Sequence, residues 1–158
     1  DRVIDKSLHT TRHIGLVASL LPDARLIWLT RDPLDCAWSC FRTYFPTGLG
    51  WTCDLADMAH HFALEAGLLA RWQDMLGDRL LVVPYEDLVA RPEEWTGRLV
   101  AHAGLADAPQ RHAPHDAPQP VLTASALQVR RPVNRDAVGA AAPYRRHLEA
   151  FSTALQAT

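Results

Sequence analysis

Several features that would place this sequence quickly are missing or scarce. Three cysteines, Cys36, Cys40 and Cys53, occur in 158 residues. An odd, unpatterned set excludes a disulfide framework and shows no metal-ligand spacing. The expectation is free thiols in a reducing compartment, hence a cytoplasmic protein, with no metal. No apolar run approaches the roughly 18 to 20 residues that span a bilayer, and no signal peptide is visible. With 16 basic and 18 acidic residues the formal net charge is −2, which gives no reason to expect a nucleic-acid partner. A glycine-rich, Ser/Thr-containing loop ahead of a helix, the backbone cradle that holds a phosphate chain, is also absent. The chain opens on Asp1, not methionine, and Val3-Ile4 reads as the tail of a buried strand. We therefore expect the C-terminal part of a longer protein, with the N-terminal segment of that protein as its partner.

What is present forms a core. Hydrophobic residues make up 48% and charged residues 22%, ordinary values for one globular domain over residues 1–158. The stretch RLIWLTRDPLDCAWSCFRTY, from Arg25 to Tyr44, organises the rest. Leu26, Ile27, Trp28 and Leu29 are a short apolar run, as in a buried parallel strand. Asp32 suits an N-cap and Pro33 the first helical position, which predicts a helix running to about Phe45. A strand, a tight turn and a helix N-terminus make an anion site, since free N–H groups and the positive dipole end point outward. Arg31 stands in that turn with a planar fork suited to phosphate. Ser39, eight residues on, shares a helix side with Asp32 and Cys36. The plainer alternative is that Arg31 pairs with Asp32 or Asp35 while Ser39 only packs.

The remaining elements follow from period and punctuation. Residues 10–21 read as an amphipathic helix with Ile14, Val17, Ala18 and Leu21 on one face. His9 and His13 have the spacing of two metal ligands but lack a third. Asp54 caps and Gly77 ends a long helix whose stripe is Leu55, Met58, Phe62, Leu69, Trp72 and Leu76; His60 and His61 read as its surface. Residues 79–83 form a second strand, so strand, helix and strand imply a parallel βαβ unit. Ligands on such sheets gather beyond the strand C-termini, where Arg31 and Tyr85 both fall. Glu86 and Asp87 are expected to cap the next short helix. Pro92 opens another helix to about Ala103, with Trp95, Leu99 and Val100 inward. Residues 106–120 are a Pro-rich linker. Tyr144, Leu148, Phe151 and Leu155 give a last amphipathic helix, expected to dock on the sheet.

RDPLDCAWS resembles the 3'-phosphate-binding segment of sulfotransferases that use 3'-phosphoadenosine-5'-phosphosulfate (PAPS), in which an Arg and a Ser at this spacing hold the phosphate. The likeness is nearest to the bacterial and tyrosylprotein-type branches. It implies an α/β fold of three layers, a parallel sheet flanked by helices, P-loop-NTPase-like and incomplete at the N-terminus. It implies Arg31 and Ser39 as donor contacts and, through PYEDL, Tyr85 beside the adenosine. Asp5-Lys6 resembles the segment whose Lys reaches the transferred group, although Leu8, His9 and Thr10 follow where relatives carry Pro and Asn. His9 invites comparison with the catalytic histidine of cytosolic relatives, about a residue out of register. Residues 123–134 resemble the loop that covers the nucleotide, with Gln128 and Arg130 as contacts. Gly139-Ala140-Ala141-Ala142 stands where relatives place a basic donor contact, so Arg135 would have to serve or affinity would fall. The function implied is sulfonate transfer from PAPS to a hydroxyl or amine of a small-molecule, peptide or carbohydrate acceptor, without metal. This chain would supply the 3'-phosphate and adenosine side and be inactive alone. The alternatives are a non-catalytic nucleotide-binding fragment and an ATP-dependent phosphotransferase.

Overall fold

Two short strands fix the geometry of the candidate site. The computed structural model describes residues 3–7, 10–43, 45, 48–106 and 132–158. Strand β1 (Leu26–Thr30) pairs in parallel with β2 (Leu80–Pro84), with Leu26 opposite Leu80 and Thr30 opposite Pro84. Parallel neighbours need a long crossover. Here it consists of α2 (Pro33–Phe41), a 3-10 turn at Gly50–Cys53 and α3 (Leu55–Leu76). Both strands therefore end at the same edge, and Arg31 and Tyr85 leave it side by side.

Helix α1 (Thr10–Leu20) precedes β1, while α4 (Tyr85–Ala90) and α5 (Pro92–His102) follow β2. Residues after the undescribed 107–131 lead through a 3-10 segment, Ala142–Leu148, into α6 (Glu149–Gln156). The local signals behave as their chemistry requires. The Asp54 carboxylate accepts from the N–H groups of Ala56 and Asp57 at 2.8 and 3.0 Å. Gly77 ends α3 at φ 50°, a left-handed value that a side chain would strain. The core lies where α2, α3 and α6 meet: Ala37, Met58, Ala59 and Phe151 are all 0% exposed.

The described residues thus form a mixed α/β unit with a two-stranded parallel sheet. Five expectations change. Val3 and Ile4 are coil, 96% and 85% exposed, and among the described residues no strand lies beside them to take their backbone groups. Strand β1 is covered on one face only, with Ile27 and Leu29 at 49% and 56% exposure. Helix α2 stops at Phe41, its C-cap Arg42 already bonding back to Trp38 and Cys40. Helix α6 docks on α3, not on the sheet: the Phe151 ring meets Phe62 edge-on at 5.4 Å. His61 is not bare surface, since it stacks on Trp51 at 3.9 Å. The linker expected over residues 106–120 lies outside the described residues beyond Ala106. Among the described residues, no helix is long and apolar enough to cross a membrane.

Candidate functional site

Arg31 is held by backbone and by a ring, not by a carboxylate. Its Nη2 donates to the Ala137 carbonyl at 2.6 Å, and its guanidinium carbon sits 5.0 Å from the centroid of the Tyr85 ring. Its Nε is buried without a hydrogen-bond partner among the described residues. Among the described residues no carboxylate lies within ion-pairing distance of it. Arg31 and Tyr85 meet because Thr30 and Pro84, the residues before them, are partners across the sheet.

The start of α2 is less open to an anion than its sequence implies. The Asp32 side chain accepts from Asp35 N at 2.9 Å, which caps the helix. The Asp32 N–H in turn donates to Glu86 Oε1 at 2.8 Å. Glu86 therefore does not cap its own short helix but ties the two strand exits together. Asp87 lies 3.4 Å from Arg91, an exposed pair of little energetic weight. Two donors offered to a ligand by the sequence pattern, the Asp32 and Asp35 N–H groups, are thus satisfied by side chains.

Ser39 is partly buried on α2, where its carbonyl accepts from Thr43 Oγ1 at 2.7 Å. No hydrogen bond joins it to Arg31. Lys6 lies on exposed coil and makes no hydrogen bond or ion pair with the other candidates among the described residues. His9, Gln128 and Arg130 lie outside the described residues. Among the described residues, no group of three or more His, Cys, Asp or Glu could hold a metal.

Sequence reading missed the strap formed by residues 135–141. Its turn begins at Arg135, whose carbonyl accepts from Val138 N at 2.9 Å. Asp35, 3% exposed, then accepts from Gly139 N through Oδ2 at 2.6 Å and from Ala141 N through Oδ1 at 2.8 Å. The strap, Asp32, Leu34, Glu86 and Arg145 enclose a cleft of about 240 Å³. Gly139 and Ala141 thus carry their share of the contact in backbone amides, in the run Gly139–Ala142 that lacks a basic side chain. Cys36 and Cys40 line the same helix. Burial pushes the Cys36 thiol up, partly offset by Arg31, with Asp32, Glu86 and Asp35 raising it further. Cys40 is pushed up to about 11, chiefly by burial and then by Cys36.

A family model described as "Sulfotransferase family" matches residues 1–109, more than half of the sequence, and the chain belongs to that family. An uncharacterized protein of Aquifex aeolicus is 27% identical over 158 residues, covering 98% of this chain. The chain spans 21% of that relative's length.

Proposed function

We propose that this chain builds the 3'-phosphate and adenosine side of a PAPS site in a sulfotransferase of the bacterial or tyrosylprotein-like kind. The observation that carries the proposal is the meeting of Arg31 and Tyr85 beyond the C-terminal ends of two adjacent parallel strands. An arginine whose partners are a carbonyl and a ring keeps its full charge for an anion. Among the described residues its buried Nε has no hydrogen-bond partner, which leaves that donor's capacity unused. The Tyr85 ring offers a face and a hydroxyl to a nucleoside. Ser39, Gln128 and Arg130 are the further donor contacts.

In the reaction, the acceptor oxygen or nitrogen bonds to sulfur as the bond from sulfur to the phosphate oxygen breaks. The acceptor proton passes to a base, and adenosine 3',5'-bisphosphate leaves. The donor supplies the activated sulfonate. Lys6, a compact cation on an exposed segment, is assigned to neutralise charge on the leaving oxygen, with His9 as the second catalytic candidate. Acceptors are small molecules, peptides or carbohydrates bearing a hydroxyl or amine. A further N-terminal segment of the same cytoplasmic protein would complete a three-layer, P-loop-like sheet and bring the phosphosulfate loop, so these 158 residues alone transfer nothing. Transfer of labelled sulfonate by them would overturn that point.

One observation favours a second reading, a binding module without chemistry. The backbone amides of Gly139 and Ala141, where a basic contact is expected, are already taken by Asp35. Calorimetric titration with adenosine 3',5'-bisphosphate and with ATP plus Mg²⁺ separates the readings. We expect preference for the bisphosphate, lost by about 10- to 100-fold in Arg31→Ala with the circular dichroism spectrum unchanged. Preference for ATP with Mg²⁺ would point to phosphoryl transfer, and binding of neither would refute the donor site.

A further inference from the structure

We infer that Asp35 is a positioning residue, whose buried carboxylate pins residues 135–141 across the start of α2 so that the Ala137 carbonyl holds Arg31 in place for the donor's 3'-phosphate. This rests on the donor-site reading above and extends it to a residue that touches no ligand. Asp35 and Thr52 are the buried polar residues among the described ones. A carboxylate withdrawn from water is costly unless charge or hydrogen bonds compensate it. No cation lies within ion-pairing distance of Asp35 among the described residues. The compensation comes instead from the N–H groups of Gly139 and Ala141, and from its place in the first turn of α2, at the positive end of the helix dipole.

Both carboxylate oxygens are engaged, one by each amide, and this makes the residue type decisive. An asparagine keeps one acceptor and turns an NH₂ toward the other N–H. The turn is specific as well. Gly139 has φ 75°, and a Cβ built there meets nothing within 4 Å, so the backbone angle and not crowding requires glycine. Ala137, two residues before Gly139, accepts from Arg31 at 2.6 Å. Displacing the clamped amides therefore moves the group that orients the guanidinium. A purely structural staple would lower stability and leave ligand affinity alone.

The test combines three measurements on the full 158-residue chain: bisphosphate affinity by calorimetry, thermal midpoint, and the Arg31 Nε–H signal in the ligand-free protein by NMR. Asp35→Asn is expected to weaken bisphosphate binding about 10-fold or more. Gly15→Ala, in α1 and away from the strap, provides a destabilised control that should bind as the parent does. Parent-like affinity in Asp35→Asn overturns the inference. If the parent itself does not bind the bisphosphate, the donor reading fails, and the NMR signal alone decides the positioning role. Slow exchange of Nε–H in the parent and fast exchange in Asp35→Asn support it, and equal exchange overturns it. If Asp35→Asn does not fold, Gly139→Ala strains the same turn without leaving a buried carboxylate unpaired. The same losses are then expected, and their absence is equally fatal.

Discussion

Replacing Phe151 with alanine removes the side chain that seats α6, and through it the C-terminal end of the strap, on the rest of the fold. Phe151 is 0% exposed and packs with Ala37, Met58 and Ala59, its ring edge-on to Phe62 at 5.4 Å and 83°. Burying a phenylalanine fully is worth about 1.5 to 3 kcal/mol. The edge-to-face pair adds about 0.5 to 1.5 kcal/mol. Two of the four core residues are alanines, too short to fill the space left behind, so a cavity cost is added. The expected loss is about 4 kcal/mol, within the span of core Phe→Ala changes. At roughly 2 to 4 °C per kcal/mol for a domain this size, the thermal midpoint should fall by about 10 °C. Urea unfolding followed by tryptophan fluorescence gives the free energy, and an unchanged slope shows that the same surface still unfolds. Phe62→Ala closes a double-mutant cycle, with a coupling of about 1 kcal/mol expected from the ring pair. A loss below about 1 kcal/mol, or no coupling to Phe62, would refute the seating of α6 on α3.

Gly15→Ala should destabilise even though alanine favours helix by about 1 kcal/mol. The new Cβ would lie 2.9 Å from Trp72 Cη2, and that indole is fixed by its Nε1 donating to the Thr11 carbonyl at 3.0 Å. Overpacking by about 1 to 3 kcal/mol outweighs the propensity gain, and a rise in urea midpoint would show the contact to be soft. Among the thiols, exposed Cys53 should react with Ellman's reagent at pH 8 well before partly buried Cys36 and Cys40, which should wait for unfolding. The pH dependence has a definite sign: with the Cys40 pKa raised from 9.0 to about 11, the protonated thiol stabilises the folded form below pH 9.0, and this is lost as pH rises toward 11. Stability that rises over that window in urea titrations would contradict the burial of Cys40.

What could be read from the sequence was local. The span of α3 follows from an apolar stripe between an Asp cap and a terminal glycine, and the structure returns Leu55–Leu76 with both signals in use. The parallel pair follows from two apolar runs separated by helix, and the meeting of Arg31 and Tyr85 at their ends follows from that pairing. What could not be read depends on partners. Val3 and Ile4 have strand composition, but a strand exists only beside another strand, and with none beside them among the described residues they are 96% and 85% exposed. The stripe of Leu148, Phe151 and Leu155 states that a helix face is covered without stating by what, and α3 covers it where the sheet was expected.

Asp35 shows the same limit within the site. In the sequence it is a first-turn acidic residue four positions after Arg31, a spacing that invites an ion pair. Its real partners lie 104 and 106 residues further on, and both are backbone amides, which carry no residue-type signal at all. The consequence for Arg31 is the opposite of the pairing that proximity implies. Asp32 is occupied by Asp35 N, Asp35 by the strap, and Glu86 by Asp32 N. With the neighbouring carboxylates engaged on N–H groups, the guanidinium's partners among the described residues are a neutral carbonyl and a ring. An arginine already neutralised by a carboxylate gains little from a phosphate, because the incoming anion must first displace the resident one. An arginine held this way has its position settled without a carboxylate against it, the arrangement that the proposed phosphate contact would use.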